Sequence, residues 1–343
     1  MTGLARRWSV VTESVIGVVL SALLLSLCLP LEAQEAKGTS RIGFLSRDNR
    51  PADARESVSH RLEAFREGLR ELGYVEGKNL IIEYRYADGQ LERLPALAQE
   101  LVGLKLDIIV TDTAAPARAA KKATSTIPIV MVSAGNPVQS GLVASLARPE
   151  GNVTGLTSIT PELLGKRLEL LKEVLPKVSR FAFLDDDDVV DLSPFEYAHK
   201  AARALAVQLH RVEVKLRNPD LEGAFKTMIQ DRVGGLITSA GILGTTVYRK
   251  KILQLLHQSR MPAIHPNTVW IDEGGLMYYG VNSFESYRRA ATYVHRILKG
   301  VKPSELPIEQ PTKFELVINL KAVKQIDVTI PPNVLARADR VIR

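Results

Sequence analysis

The sequence predicts an α/β protein of two lobes, each a doubly wound parallel sheet, joined by three crossings of the chain. Three observations support this fold class. Short apolar strands alternate with amphipathic helices from residue 41 onward, the alternation restarts after five strands, and a helix and a strand remain after the second series. Such alternation is typical of parallel sheets with helices on both faces.

The first lobe is predicted from five apolar segments separated by helical patterns. Leu62, Phe65, Leu69 and Leu72 recur at the helical period. The predicted strands are 41–46, 80–86, 106–111, 129–132 and 151–157, and the predicted helices are 58–72, 95–104, 116–123 and 141–147.

The second lobe is predicted from a restart of the same alternation. Its predicted helices are 161–175, 197–207, 221–229 and 246–258, and its strands are 180–184, 208–215, 235–239 and 262–265. A strand within 274–280, a helix at 283–298, a strand at 314–318 and a helix at 320–326 then follow.

These leftover elements indicate that the chain returns to the first lobe and leaves it again. The expected crossings lie near 155–157, 280–282 and 310–312. We therefore expect an N-terminal lobe of residues 41–156 plus 282–309 and a C-terminal lobe of residues 157–281 plus 310–343. Three crossings permit a hinge.

Residues 1–36 have the pattern of a secretory signal peptide. Arg6 and Arg7 precede an apolar run at 15–29, and Pro30 ends it. That run is shorter than the roughly 20 residues needed to span a bilayer. Cys28 follows Leu27, where a lipoprotein signal would have a small residue, so a lipid anchor is not expected. We expect export to the periplasm with cleavage of the leader.

The basic charge of the chain is distributed along its helices. The formal net charge is +7, with pairs such as Lys166-Arg167, Arg249-Lys250 and Arg288-Arg289 beside core-type residues. Solvated helix faces account for this spacing, and a preference for anionic ligands is the alternative. The scattered charge does not favour a nucleic-acid partner.

Several motifs resemble one family. The segments RLEAFREGLRELGYVEGKN (61–79), IPIV (127–130), GLVASLARP (141–149), GKRLELL (165–171) and QPTKFELVINL (310–320) occur in the order typical of ABC-transporter substrate-binding proteins that include tryptophan/tyrosine-type binding proteins. The resemblance implies a type I periplasmic-binding fold that closes on a small ligand and passes it to an ABC permease. We expect a monomer without a cofactor.

The loops that would face the ligand depart from the family pattern. Asn136 stands where amino-acid-binding relatives resemble Asp-Pro-Val, so the carboxylate suited to an α-ammonium group is missing. Thr113-Ala114-Ala115 replaces Gly-Thr-Pro, and the acidic run 185–188 replaces loops that contain Asn. An amino-acid ligand is therefore not assured.

Candidate ligand-binding residues end the predicted strands, where open α/β sheets bind ligands. The backbone at the start of the helix after Thr113 offers a seat for a carboxylate. The candidate residues are Ser46, Thr113, Ala114, Asn136, Asp185, Ser239, Asn267 and Tyr279. Each candidate also has a structural interpretation. Thr113 and Asn136 could equally be helix caps or turn residues, and Trp270 and Tyr279 could line the cleft or pack in the core. The acidic run could be a solvated loop or could contact a cation.

The sequence offers little support for two other classes of protein. A Rossmann-like enzyme acting on a small metabolite lacks support, because the sequence has no Gly-x-Gly-x-x-Gly, no Gly-x-Ser-x-Gly and no His-Glu-x-x-His. We therefore expect no catalytic residues and no metal ligands. A regulator's DNA-binding helices would occupy the place of the apolar leader. The alternatives to a solute-binding protein are therefore a Rossmann-like enzyme and a ligand-sensing protein for a signalling partner.

Overall fold

The computed structural model describes residues 38–51, 57–158, 162–186, 193–215, 218–239, 243 and 246–343. The signal peptide predicted at 1–36, including Cys28, lies outside these residues. Within the described parts, no helix combines the length and apolar character needed to cross a membrane.

The N-terminal sheet has five parallel strands in the order β2-β1-β3-β4-β5. Its strands are β1 (Ser40–Ser46), β2 (Leu80–Tyr86), β3 (Ile108–Thr111), β4 (Ile129–Ala134) and β5 (Val153–Thr157). The helices between them are α1 (Ser57–Glu71), α2 (Leu94–Val102) and α3 (Ala114–Ala123). All four residues of β3 are buried, as expected for a central strand covered on both faces.

The C-terminal sheet has seven strands in the order β12-β11-β10-β9-β8-β6-β7. Its elements are α4 (Glu162–Val174), β6 (Arg180–Asp186), α5 (Ser193–Ala204), β7 (Gln208–Val214), α6 (Leu221–Gln230), β8 (Gly235–Thr238), α7 (Thr246–Ser259), β9 (Ala263–His265), α8 (Val269–Asp272) and β10 (Met277–Val281). The chain ends with β11 (Phe314–Asn319), α10 (Leu320–Ile326), α11 (Pro332–Leu335) and β12 (Arg340–Ile342). The strand β11 runs antiparallel to β10, so the sheet is mixed rather than wholly parallel.

Helix α9 (Ser283–Leu298) follows β10 but packs against the N-terminal sheet. Its buried residues Tyr287, Ala290 and Val294 belong to the same apolar cluster as Phe44 and Phe65. Asn282 caps this helix by accepting hydrogen bonds from the backbone N–H groups of the first turn. The return of α9 to the first sheet confirms the predicted fold class of two α/β lobes joined by three crossings.

The crossing segments are bonded to one another. Thr157 N donates to Glu309 O at 3.0 Å, and Glu309 N donates to Gly155 O at 3.0 Å. The second crossing leaves β10, which pairs with β11 immediately after the third. Backbone hydrogen bonds therefore join the first crossing to the third, and the β10–β11 pairing within the C-terminal sheet joins the second crossing to the third.

The helix predicted at 141–147 is wrong, because these residues form turns and bends. Gly141 has a φ of 68°, and the N–H groups of Leu142 and Val143 donate to Pro137 O. Lys121 Nζ donates to the carbonyl oxygens of Gly141 and Leu142 at 2.7 and 3.1 Å. Local proline carbonyls and a lysine therefore take the groups that would have made helical hydrogen bonds.

Gly155 allows close approach of β5 to β4 at the first crossing. Its φ is 126°, and a Cβ there would lie 2.2 Å from Met131 O. Gly73 has a positive φ of 88° with no atom within 4 Å of the same position, which makes it a matched control.

We expect Gly155→Ala to lower the free energy of unfolding by about 3 kcal/mol, since backbone strain and overpacking add. Gly73→Ala carries only the conformational cost of about 1 kcal/mol. Urea unfolding followed by circular dichroism measures both. Equal midpoints for the two variants would contradict the role of close approach.

Candidate functional site

Seven of the eight candidate residues lie at or just beyond the carboxyl ends of strands, and Tyr279 lies in the middle of β10. In the N-terminal sheet they follow the neighbouring strands β1, β3 and β4, and in the C-terminal sheet they belong to β6, β8, β9 and β10. Both sets lie at the sheet edges from which the chain crosses between the sheets. The sites on each sheet are therefore clustered by topology.

Asp112 is the buried centre of the N-terminal set. Its Oδ2 accepts from Ser46 Oγ at 2.5 Å and from Arg47 N at 3.3 Å, and its Oδ1 accepts from Thr113 Oγ1 at 3.1 Å. Burial, and next the charge of Asp48, raise the pKa of Asp112 to about 6. Ser46 and Thr113 therefore orient the carboxyl group of Asp112, which was not among the predicted site residues.

Asp48 carries the charge of this edge. Burial alone would raise its pKa, but the cations Arg61, Arg47 and Arg249 together lower it. Arg61 donates to Asp48 Oδ2 at 3.0 Å, while Arg249 belongs to α7 beside the other sheet. The two carboxyl edges are thus close enough for a charge on one to act on the other, and α1 also contacts α8.

Asn136 has local partners, whereas the helix start predicted to bind a carboxylate has no side-chain cap. Helix α3 begins at Ala114, two residues earlier than predicted, and Thr113 precedes it without a capping side-chain hydrogen bond. Asn136 Oδ1 accepts from Gln139 N at 3.1 Å, and Asn136 Nδ2 donates to Gln139 Oε1 at 3.2 Å. The turn role of Asn136 is therefore realised in the structure.

Asp185 and Ser239 lie side by side at the C-terminal edge. Ser239 N donates to Leu184 O at 3.0 Å, and Asp185 Oδ2 is 3.3 Å from Arg211 Nη2. Asp185 is only 1% exposed, and burial followed by the charge of Asp186 raises its pKa to about 6. The expected solvated loop is wrong for Asp185 and Asp186, because both end β6 inside the protein. Asp187 and Asp188 lie outside the described residues.

Tyr279 and Asn267 lie beside a buried arginine. The carbonyl oxygen of Tyr279 accepts from Arg167 Nε at 2.7 Å, and the Tyr279 ring lies 6.1 Å from that of Phe314. Arg167 is 9% exposed. Asn267 Oδ1 is buried and has no hydrogen-bond partner within the described parts of the chain.

Trp270 belongs to the core and does not form a cleft wall. It is fully buried, and its ring stacks on His265 with centroids 4.5 Å apart. Burial, followed by the charges of Arg167 and Arg249, lowers the pKa of His265 to about 3, so this histidine is neutral at ordinary pH. His265 Nδ1 shares a hydrogen bond with Thr238 Oγ1 at 3.0 Å.

Further polar atoms near both edges lack partners among the described residues. They are Asn49 Oδ1, Thr111 Oγ1, Asp185 Oδ1, Asn267 Oδ1 and Thr268 Oγ1. Buried polar groups without partners are rare in folded proteins, so these groups suit contacts with a polar ligand or water. The described residues contain no group of side chains arranged to hold a metal ion.

Arg167 and Arg249 correct the interpretation of the basic helices. Lys166, Arg288 and Arg289 are exposed or half-exposed as expected, but Arg167 and Arg249 are buried. Arg167 flanks the apolar stripe of its helix, and the contact that buries it joins residues 112 positions apart. The position of Asp112 directly after a predicted strand was a signal that could have identified it as a site residue.

The comparisons with known proteins agree with this architecture. The model of the family described as "ABC transporter substrate binding protein" matches residues 54–342, so the chain belongs to that family. A tyrosine-binding protein of Clostridioides difficile is 24% identical over 280 residues, covering 79% of this chain and 77% of the relative.

Two solved structures show the same fold. A conserved domain protein from Vibrio cholerae has a TM-score of 0.79 and 27% identity, covering 88% of this chain and 99% of its own. The ABC domain from Streptococcus pneumonia, solved in complex with L-Trp, has a TM-score of 0.79 and 22% identity, covering 89% of this chain and 100% of its own. Both structures cover nearly all of their own length with the two-sheet fold of this chain.

The raised pKa of Asp185 predicts a pH-dependent effect of its substitution. The folded chain holds this proton more tightly than the unfolded chain, so the carboxyl contributes stability below its unfolded pKa of 3.8 and loses it as pH rises through about 6. Between pH 4 and 8, Asp185→Asn should gain about 2 to 3 kcal/mol of unfolding free energy relative to the wild type.

Urea unfolding across this pH range tests the expectation. Arg211 keeps a second carboxylate in the variant, since its Nη1 lies 2.8 Å from Glu213 Oε2. Asp231→Asn, at an exposed position, serves as the control. Parallel stability profiles of Asp185→Asn and wild type would show that burial does not raise this pKa.

Proposed function

We propose that this chain is the extracytoplasmic solute-binding protein of an ABC importer. It captures a small ligand, carboxylate-bearing or aromatic, between its lobes and delivers it to a membrane permease. The main support is the convergence of buried polar groups at the facing carboxyl ends of two sheets, the edge at which α/β sheets bind ligands. The tyrosine-binding relative and the L-Trp complex favour a ligand of that size.

The proposed site combines the two edges. Asp112, held by Ser46 and Thr113, lies on the N-terminal side together with the backbone of Ala114 and the amide of Asn136. The C-terminal side contributes residues from four adjacent strands or the loops that follow them, namely Asp185, Ser239, Asn267 and Tyr279. Such a site contacts a ligand from both sides only when the lobes are together.

Hinge closure is the proposed mechanism. The lobes comprise residues 41–156 with 282–309 and residues 157–281 with 310–343, and the three crossings act as the hinge. In the open form both polar edges are hydrated, and a ligand that contacts both favours the closed form by its differential affinity. The attraction between Asp48 and Arg249 acts in the same direction.

The partners and location follow from this role. We propose that the leader directs the chain to the periplasm, that no lipid is attached at Cys28, and that the closed monomer docks on a permease. The protein needs no cofactor and no nucleic acid for this cycle. Export is tested by fractionation of expressing cells, where a cytoplasmic precursor without a shorter external form would contradict it.

A thermal-shift screen tests solute binding directly. Amino acids, aromatic acids, short carboxylates, purines and sugars are added to the purified mature chain. A ligand at 100 times its Kd stabilises the folded form by about 2.7 kcal/mol, which raises the midpoint by a few degrees. Hits confined to one chemical class are expected. A folded protein that responds to none of them would argue for a signalling partner instead.

Asn136→Ala tests the N-terminal edge with any hit from that screen. We expect about tenfold weaker binding, because one side-chain hydrogen bond of about 1.4 kcal/mol is lost. Gln139→Ala is the control, since the backbone N–H of Gln139 still donates to Asn136. Unchanged affinity in Asn136→Ala would remove this residue from the site.

The contribution of Arg249 to closure is tested without ligand. Arg249→Gln and Asp48→Asn each remove one charge of the pair between the lobes, so the distance between spin labels placed on the two lobes should increase. The exposed neighbour provides the control variant Lys250→Gln. Identical distance distributions in all four proteins would exclude this attraction as a closing force.

A further inference from the structure

Arg167 is a buried cation fixed at the C-terminal edge. It lies in the second turn of α4, is 9% exposed, and donates from Nε to Tyr279 O at 2.7 Å. That carbonyl belongs to strand β10, which directly precedes the second crossing. The backbone contact therefore holds the guanidinium where the chain passes between the lobes.

Arg167 differs from the other arginines near the two edges in having no carboxylate partner among the residues that the structure describes. Arg61 pairs with Asp48 at 3.0 Å, Arg249 Nε lies 2.9 Å from Glu273, and Arg211 lies 3.3 Å from Asp185. Arg167 makes no ion pair with a carboxylate in the described parts of the chain. Burial lowers its pKa to about 10, against a smaller opposing effect of Tyr278 and Tyr279. A buried charge without a counter-charge is costly, which makes an external partner favourable.

The surroundings of Arg167 supply further polar groups. A Cβ at Gly280 would lie 2.9 Å from Tyr278 Cε2, 3.1 Å from Pro266 O and 3.2 Å from Arg167 Nη2, so Gly280 and Pro266 pack close to the guanidinium. The next two residues, Asn267 and Thr268, each have a buried side-chain oxygen without a partner among the described residues. These oxygens are independent of the charge of Arg167.

We propose that Arg167 binds the anionic group of the transported solute, and that the solute class is small organic carboxylates. This inference rests on the proposed solute-binding function. A guanidinium offers two parallel N–H groups that match the two oxygens of a carboxylate, and a single arginine suits one negative charge. The Thr268 hydroxyl, which lacks a partner among the described residues and lies two residues after Pro266, is the second donor that this proposal assigns to the group.

Acetate is the smallest probe of this site, and acetamide is its neutral isostere. The thermal midpoint of the mature chain is measured with sodium acetate, with acetamide and with sodium chloride at constant ionic strength. We expect a saturable rise with acetate alone. In Arg167→Gln the acetate curve should coincide with the chloride curve, whereas Arg167→Lys keeps part of the rise because it keeps the charge.

Lys166→Gln is the matched control, since Lys166 is the adjacent cation of α4 and is solvent-exposed. It should retain the full response to acetate. A purely structural role of Arg167 would lower the midpoint of Arg167→Gln in all three media and leave the acetate increment unchanged, which would overturn the proposal. Absence of a saturable acetate effect in the wild type would also overturn it.

A second panel separates this inference from solute binding as such. It compares 3-phenylpropionate with 3-phenylpropanamide, together with neutral sugars and purines. Carboxylate hits that are lost in Arg167→Gln support the assignment. A neutral solute that binds wild type and Arg167→Gln equally would leave solute binding intact and overturn the role of Arg167.

Discussion

The direction of the strands is the constraint on which the rest of this structure depends. Strands β1 to β5 are parallel, and so are β6 to β10, so each sheet places all these carboxyl ends at one edge. The chain crosses between the sheets at those edges, and backbone hydrogen bonds between Thr157, Gly155 and Glu309 join the crossing segments. Loops from different parts of the sequence are thereby brought to one place without any loop needing to be long.

This arrangement concentrates charge in a region that is shielded from water. Asp112 and Asp185 have raised pKa values because burial favours their neutral forms, while Asp48 is kept charged by its surrounding arginines. Electrostatic attraction between such groups is stronger there than at the surface. In the proposed closure, a change in the separation of the lobes would alter both the hydration and the pairing of these groups.

Much of the fold could be predicted from local pattern. The strand Leu80–Tyr86 and the helices Ser283–Leu298 and Leu320–Ile326 have the predicted bounds, since side-chain alternation, capping by Asn282 or Asn319 and the apolar period all agree. The turns at 141–147 were missed because their partners Pro137 and Lys121 lie outside the segment. The pairing direction of β11 depends on β10, which no local pattern encodes.

The sequence predicted the strand ends and therefore the sheet edges of the candidate site. It did not predict which hydrogen bonds the residues at those edges make. Ser46 and Thr113 lie at the predicted edge, yet their hydroxyls serve Asp112, and Asn136 bonds within its own turn. Arg167 was placed with the solvated helix faces because its burial depends on Tyr279, which is distant in sequence. Asn136 brings no charge to one edge, whereas Arg167 leaves a positive charge without an acidic partner in the described chain on the other. The acids at the two edges do not offset this charge, because Asp48 pairs with Arg61 and Asp185 with Arg211, which is consistent with a solute that carries a negative charge.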